Sequence, residues 1–214
     1  MEISIARYVS NWAASPFSKV DLPPWIVTQR AVELIGPVIP TLAQADYRID
    51  GDIAVHRSAT IENGAVIKGP AIIGPRCFVA SGAYLRGGVY LEADCIIGPN
   101  AELKTSFMFP GSKLAHLNFV GDSILGSKVN IEAGAMIANY RNEKDDKLIR
   151  IQVDGQTFKT GVDKFGALVG DDARIGANAV IAPGALIAPG TKVGRLKLVD
   201  QSPDPFNDRG EFAP

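Results

Sequence analysis

The chain has 214 residues, 46% hydrophobic and 21% charged, enough apolar material for one domain or one long repeat array and too much for a disordered chain. Lys plus Arg number 22 against 23 Asp plus Glu, a net charge of -1, so no whole-protein field draws in nucleic acid or an anionic membrane. Two cysteines are too few for a disulfide framework, no apolar run reaches the roughly 20 residues of a membrane helix, and the opening MEISIARYVSNW lacks a signal-peptide layout; a cytoplasmic protein with neither nucleic-acid nor membrane partners is expected.

Residues 1–50 carry no repeat and show helical signals, IARYVSNW and then Pro23-Pro24-Trp25 leading into IVTQRAVELIG. They are expected to form a short helical N-terminal cap over the open end of a repeat array. Residues 51–200 are dominated by a six-residue period. Steps of six from Val55 meet Ile61, Ile67, Ile73, Val79, Leu85, Leu91, Ile97 and Leu103 without a miss. Two positions before each stands Ile53, Ala59, Ala65, Ala71, Cys77, Ala83, Val89, Cys95 or Ala101, so a small and a larger apolar residue share the inward face of each short strand.

A helix would carry a period of six around its axis, whereas short strands joined by tight turns and stacked coil upon coil accommodate it. Cys77 and Cys95 are 18 residues apart, three hexads, and should stack in adjacent coils as small buried fillers. Phe119, Leu125, Ile131 and Ile137 form a series of different phase, implying inserted loops near 110–118 and 139–166. The second contains LIRIQV, Asp154-Gly155 and QTFKT, a hairpin expected to project as an arm. The six-residue rule resumes at Val169, Ile175, Ile181, Ile187 and Val193, and 201–214 reads as a polar C-terminal tail.

These hexads resemble those of the hexapeptide-repeat acyltransferases, a resemblance that implies an all-β solenoid, the left-handed parallel β-helix, with three hexads per triangular coil. The run KLAHLNFVGDSILGSKVNIEAGAMIANY, with the later LVGDDARIG, is similar to the acetyltransferase half of the bifunctional enzymes that acetylate glucosamine 1-phosphate and then uridylylate it. The resemblance implies acetyl-CoA or another acyl-CoA as co-substrate, a small-molecule sugar acceptor and a homotrimer with active sites between subunits. It assigns His116 as the general base, Glu102 as the carboxylate that steers it, and the Ala133 amide as oxyanion donor. An imidazole suits the first role, because an amine attacking a thioester must lose a proton near neutral pH.

Arg86 and Lys104 fall on the positions that hold the sugar phosphate; Asn130, Asn139 and Tyr140 fall on amino-sugar contacts, and Ala133 and Ala177 on the cofactor site. Arg86 and Lys104, again 18 residues apart, should stack on one outer face as a cationic pair that repels unless an anion sits there. Phe119 stands where the family has a sugar-binding tyrosine, Glu132 where it has glycine, and the 141–165 segment is longer than the family's loop. Two histidines, His56 and His116, cannot supply the three-histidine zinc site of hexapeptide-repeat carbonic anhydrases, so no metal is expected. A non-catalytic hexapeptide-repeat scaffold is the alternative of a different class.

Overall fold

A computed structural model describes residues 3–153 and 155–201. From residue 53 the chain winds as a parallel β-solenoid with three flat faces, visited in turn by short strands. The second face is a seven-stranded sheet, running through Thr60–Ile61, Phe78–Val79, Ile96–Ile97, Lys113–Leu114, Asn130–Ile131, Arg174–Ile175 and Lys192–Val193. The first face begins at Ile53–His56 and ends at Ala185–Ile187; the third begins at Val66–Ile67 and ends at Leu198–Val199. No helix interrupts residues 53–108.

Both predicted inward series point into the prism, where Ile73, Val79, Leu85, Leu91, Ile97 and Leu103 are fully buried alongside Ala71, Cys77, Ala83 and Cys95. The two thiols are free and buried, Cys77 Sγ donating to the Glu92 carbonyl at 2.8 Å and Cys95 Sγ to the Phe109 carbonyl at 3.3 Å.

The change of phase has another origin than an insertion at 110–118. That segment carries Lys113–Leu114, an ordinary rung of the second face paired with both neighbouring coils. The register instead loses one residue per coil: Leu91 stands beside Met108 and Leu103 beside Val120, each 17 residues on rather than 18. The inward residue is therefore Val120, and Phe119 points out of the prism.

Two further expectations are corrected by the first face. Its outward residues Ala54, Ile72, Tyr90, Phe107, Ile124, Leu168 and Leu186 stack rung on rung into an apolar ladder. The N-terminal segment lies along this ladder rather than over the open end. Its helices α1 (Pro24–Gln29) and α2 (Ala31–Ile35), with Trp12 and Phe17, join Tyr90, Phe107 and Phe109 in a second buried cluster. The open end is covered at its edge by strand Tyr47–Asp50, which pairs antiparallel with Ile53–His56.

The second insertion does contain the expected hairpin, Arg150–Val153 against Gln156–Lys159. It folds back rather than projecting freely: Ile149, Ile151, Val162 and Phe165 are buried in the same flank cluster. Both segments dock for one reason, the gain of about 25 cal/mol per Å2 when apolar surface leaves water. The 201–214 tail lies, from residue 202 on, outside the described residues. Among the described residues no helix is long and apolar enough to cross a membrane.

Candidate active site

The corner between the second and third faces turns through left-handed backbone in coil after coil, at Asn100, Leu117, Gly134, Asn178 and Leu196. Immediately before these residues stand Pro99, His116, Ala133, Ala177 and Arg195. The stacking is direct: the Gly134 amide donates to the His116 carbonyl at 3.1 Å, and the Asn178 amide to the Ala133 carbonyl at 3.0 Å. Three predicted residues, His116, Ala133 and Ala177, are thus brought to one edge at intervals of a single coil, about 4.8 Å. The imidazole of His116 is exposed, and the amide of Ala133 has no protein acceptor among the described residues.

Glu132 changes the chemistry of this edge. Its carboxylate accepts the Ala177 amide at 2.9 Å and both Nε and Nη2 of Arg195 at 3.0 Å. Arg195 first, and the Ala177 amide second, hold the carboxyl below the usual range. A glycine at this position would leave that amide open.

Arg86, Glu102, Lys104 and Phe119 occupy the third face. Arg86 and Lys104 are direct neighbours in adjacent coils, yet the expected mutual repulsion is offset inside the chain. Arg86 pairs with Glu102 at 2.6 Å, and Lys104 with Asp122 at 2.7 Å. Glu102 is therefore engaged by Arg86, and no side-chain bond joins it to His116 within this chain. Asn139 donates from Nδ2 to the same Asp122, and Tyr140 stands at the base of the arm with Lys147 Nζ 5.5 Å from its ring centre. Asn130 lies apart on the second face, in the column Lys113, Asn130, Arg174, Lys192.

Sequence reasoning missed Asp122 and the pairing of Glu132 with Arg195. Asp122 had a usable signal, since it follows Lys104 by the same 18 residues that separate Lys104 from Arg86. Arg195 had a signal of the same kind, following Ala177 by 18 residues, whereas its pairing with Glu132, 63 residues away, had none.

Comparison with known proteins gives this arrangement its class. A family profile described as "Bacterial transferase hexapeptide (six repeats)" matches residues 70–105, and "Hexapeptide repeat of succinyl-transferase" matches 166–195. The "Bifunctional sugar-1-phosphate nucleotidylyltransferase/acetyltransferase" of Sulfurisphaera tokodaii is 32% identical over 80% of this chain and 42% of its own length. The "Bifunctional protein GlmU" of Methanococcus maripaludis is 31% identical over 83% of this chain and 43% of its own.

The chain thus spans about two-fifths of the length of these curated relatives. The crystal structure of the Bacillus cereus product of the BC4754 gene shares the fold at a TM-score of 0.51 and 19% identity, covering 65% of this chain and 71% of that one. The solenoid is a left-handed parallel β-helix built from hexapeptide repeats. Its repeats and these relatives make the chain similar to the hexapeptide-repeat transferases.

Proposed function

We propose that this chain is a CoA-dependent acyltransferase, transferring acetyl to an amino group of a phosphorylated or nucleotide-linked sugar. It works as a homotrimer, and its two free thiols suit a reducing compartment such as the cytoplasm. The observation that carries the reading is the corner column, in which the exposed His116 imidazole stands one coil from an Ala133 amide without a protein acceptor among the described residues.

In this reading His116 accepts the proton that the amine loses as its nitrogen forms a bond to the thioester carbonyl. The Ala133 N–H donates to the oxygen on which charge develops, and the carbon–sulfur bond then breaks with the proton passed to the departing thiolate. Ala133 and Ala177 line the donor; Arg86, Lys104, Phe119, Asn130, Asn139 and Tyr140 hold the acceptor, Asn130 from a neighbouring copy. Glu102 acts on the acceptor side through Arg86. The names of the bifunctional relatives support the reaction class and a sugar phosphate.

One observation favours the non-catalytic scaffold instead: the Ala177 amide is already held by Glu132. Thiol release from acetyl-CoA across a panel of amino-sugar phosphates separates the two. His116→Ala is expected to lower turnover by about a hundredfold to ten-thousandfold while acetyl-CoA still binds. An unchanged rate removes His116 from the mechanism, and no CoA binding by the unmodified protein favours the scaffold.

A further inference from the structure

The corner between the third and first faces is turned by Gly87, Thr105 and Asp122 in successive coils, with φ of +73°, +51° and +46°. Glycine takes that conformation freely, whereas a β-branched threonine there is strained. Such strain persists only where neighbouring structure holds it, and it gathers at ligand sites. Both side chains are engaged here: Lys104 Nζ donates to Thr105 Oγ1 at 3.3 Å and to Asp122 Oδ2 at 2.7 Å.

The arm leaves the prism at this same corner, one coil further on. Its two ends close there, the Phe165 amide donating to the Asn139 carbonyl at 3.1 Å and the Gly166 amide to the Asp122 carbonyl at 2.9 Å. The N-terminal segment arrives from the flank: a Cβ on Gly88 would stand 2.9 Å from Ala31 Cβ, so α2 is seated directly on the turn. Where coils, helices and arm meet lies a cavity of about 300 Å3, whose lining joins the Lys104–Asp122 pair to Gln29 at the end of α1 and to Asp163 and Lys164 of the arm. A cleft of that size at the junction of separate structural units is a usual place for a small molecule.

Charge decides which class of molecule fits. Two cations, Lys104 and Lys164, face two carboxylates, Asp122 and Asp163, so the cavity exerts no net pull on an anion. Gln29, Asp163 and Lys164 are exposed and have no side-chain partner among the described residues, which leaves an amide, a carboxylate and an ammonium open together. Donors and acceptors at such close quarters suit a ring carrying several neutral hydroxyls. Val32 of α2 and Val162 of the arm add apolar surface for the C–H face of that ring.

We infer that this cavity is a saccharide subsite, which takes a second, uncharged sugar unit linked to the amino sugar, with Gln29, Asp163 and Lys164 reading its hydroxyls. The presence of an amino sugar beside it rests on the acyl-transfer reading. Lys104 connects the two, since it lines the cavity and is also among the residues assigned to the acceptor. The choice of acceptor is then made by segments outside the repeat, the helices and the arm, while the coils supply the chemistry.

Calorimetric titration without any acyl donor tests the subsite, with glucosamine and its (1,3)-, (1,4)- and (1,6)-linked glucosyl disaccharides as probes. At least one disaccharide should bind the unmodified protein tenfold or more tighter than glucosamine. Added salt should leave that preference unchanged, because the second sugar carries no charge. The exposed double variant Gln29→Ala/Asp163→Ala should abolish the preference, and Val32→Phe, which fills the cavity, should reduce it, both with unchanged circular dichroism spectra. Lys19→Gln, elsewhere on the N-terminal segment, should keep it. Disaccharides that bind no tighter than glucosamine, or a double variant that retains the preference, overturn the inference. If a disaccharide is preferred through these residues while no amino sugar is ever acetylated, the subsite stands and the acyl-transfer reading falls. If amino-sugar phosphates are acetylated and no disaccharide is preferred, the reverse holds.

Discussion

At the scale of single residues, Phe119 is where this chain departs most testably from the pattern that the resemblance implies. Its ring lies across the third face, with Cζ only 2.9 Å from where a Cβ on Gly121 would stand. The Asn139 side-chain amide is 2.8 Å from that same point. A tyrosine hydroxyl at Cζ would therefore enter the polar cluster of Asn139, Asp122 and Lys104, which phenylalanine leaves with an apolar neighbour.

A site built around a hydroxyl discriminates against whatever leaves a polar group unpaired, and the converse holds for a site lacking one. Glucosamine 1-phosphate should be a poor acceptor for the unmodified protein, and a deoxy amino-sugar phosphate a better one. Phe119→Tyr should raise kcat/KM for glucosamine 1-phosphate by at most about tenfold, given about 0.5–1.5 kcal/mol for a net hydrogen bond. Efficient turnover of glucosamine 1-phosphate by the unmodified protein, with no gain from tyrosine, would defeat this account.

At the scale of elements, the segments outside the repeat explain what was legible and what was not. The coils were legible because every inward residue obeys one period, so the burial of Ile73 or Ile97 needs no knowledge of distant partners. The flank ladder was hidden because Tyr90, Phe107 and Ile124 occupy outward positions, where a strand pattern normally predicts solvent; their partners Trp12 and Phe17 lie far back in the sequence. In the site, the corner column followed from the repeat, while the carboxylates that neutralise Arg86 and Lys104 depend on side-chain reach that periodicity does not encode.

The tie between N-terminal segment and coil offers a measurement. Asn11 donates to Glu92 Oε1 at 2.9 Å, while Oε2 of the same carboxyl is buried without a partner among the described residues. Burial raises the Glu92 carboxyl above the usual carboxylate range, and the Asn11 bond pulls it partly back. Folding therefore favours the protonated form. Its stabilising contribution is fully present below the ordinary carboxylate value and is lost as pH rises through the higher folded value. Glu92→Gln keeps an acceptor for Asn11 without the charge, so its melting temperature should exceed the unmodified protein's by about 1–3 °C at pH 7 and match it near pH 4. A variant that melts lower at both pH values would show that the carboxylate has a partner role instead.

At the scale of the whole molecule, one flank of the prism is sealed by the chain's own N-terminal segment and arm, which leaves the second and third faces to meet other molecules. The corner between them is apolar where it carries His116. Leu117 and Leu196 hold left-handed backbone, φ +56° and +59°, and are 59% and 78% exposed. A bulky side chain in that conformation costs energy and gains nothing in solvent. Met136, Val180 and Leu198 continue the patch along the third face, 48%, 39% and 66% exposed.

A second copy seated on this strip would cover all five and bring its own second face, with Asn130, toward the first copy's His116. Three copies close the ring, each giving one face and receiving another. Sedimentation of the unmodified protein should therefore show a trimer. The exposed double change Met136→Glu/Leu198→Glu should yield a folded monomer, with an unchanged circular dichroism spectrum, that no longer releases thiol from acetyl-CoA. A double variant that stays trimeric would move the interface elsewhere, and a monomer that keeps full turnover would show that each chain builds its site alone.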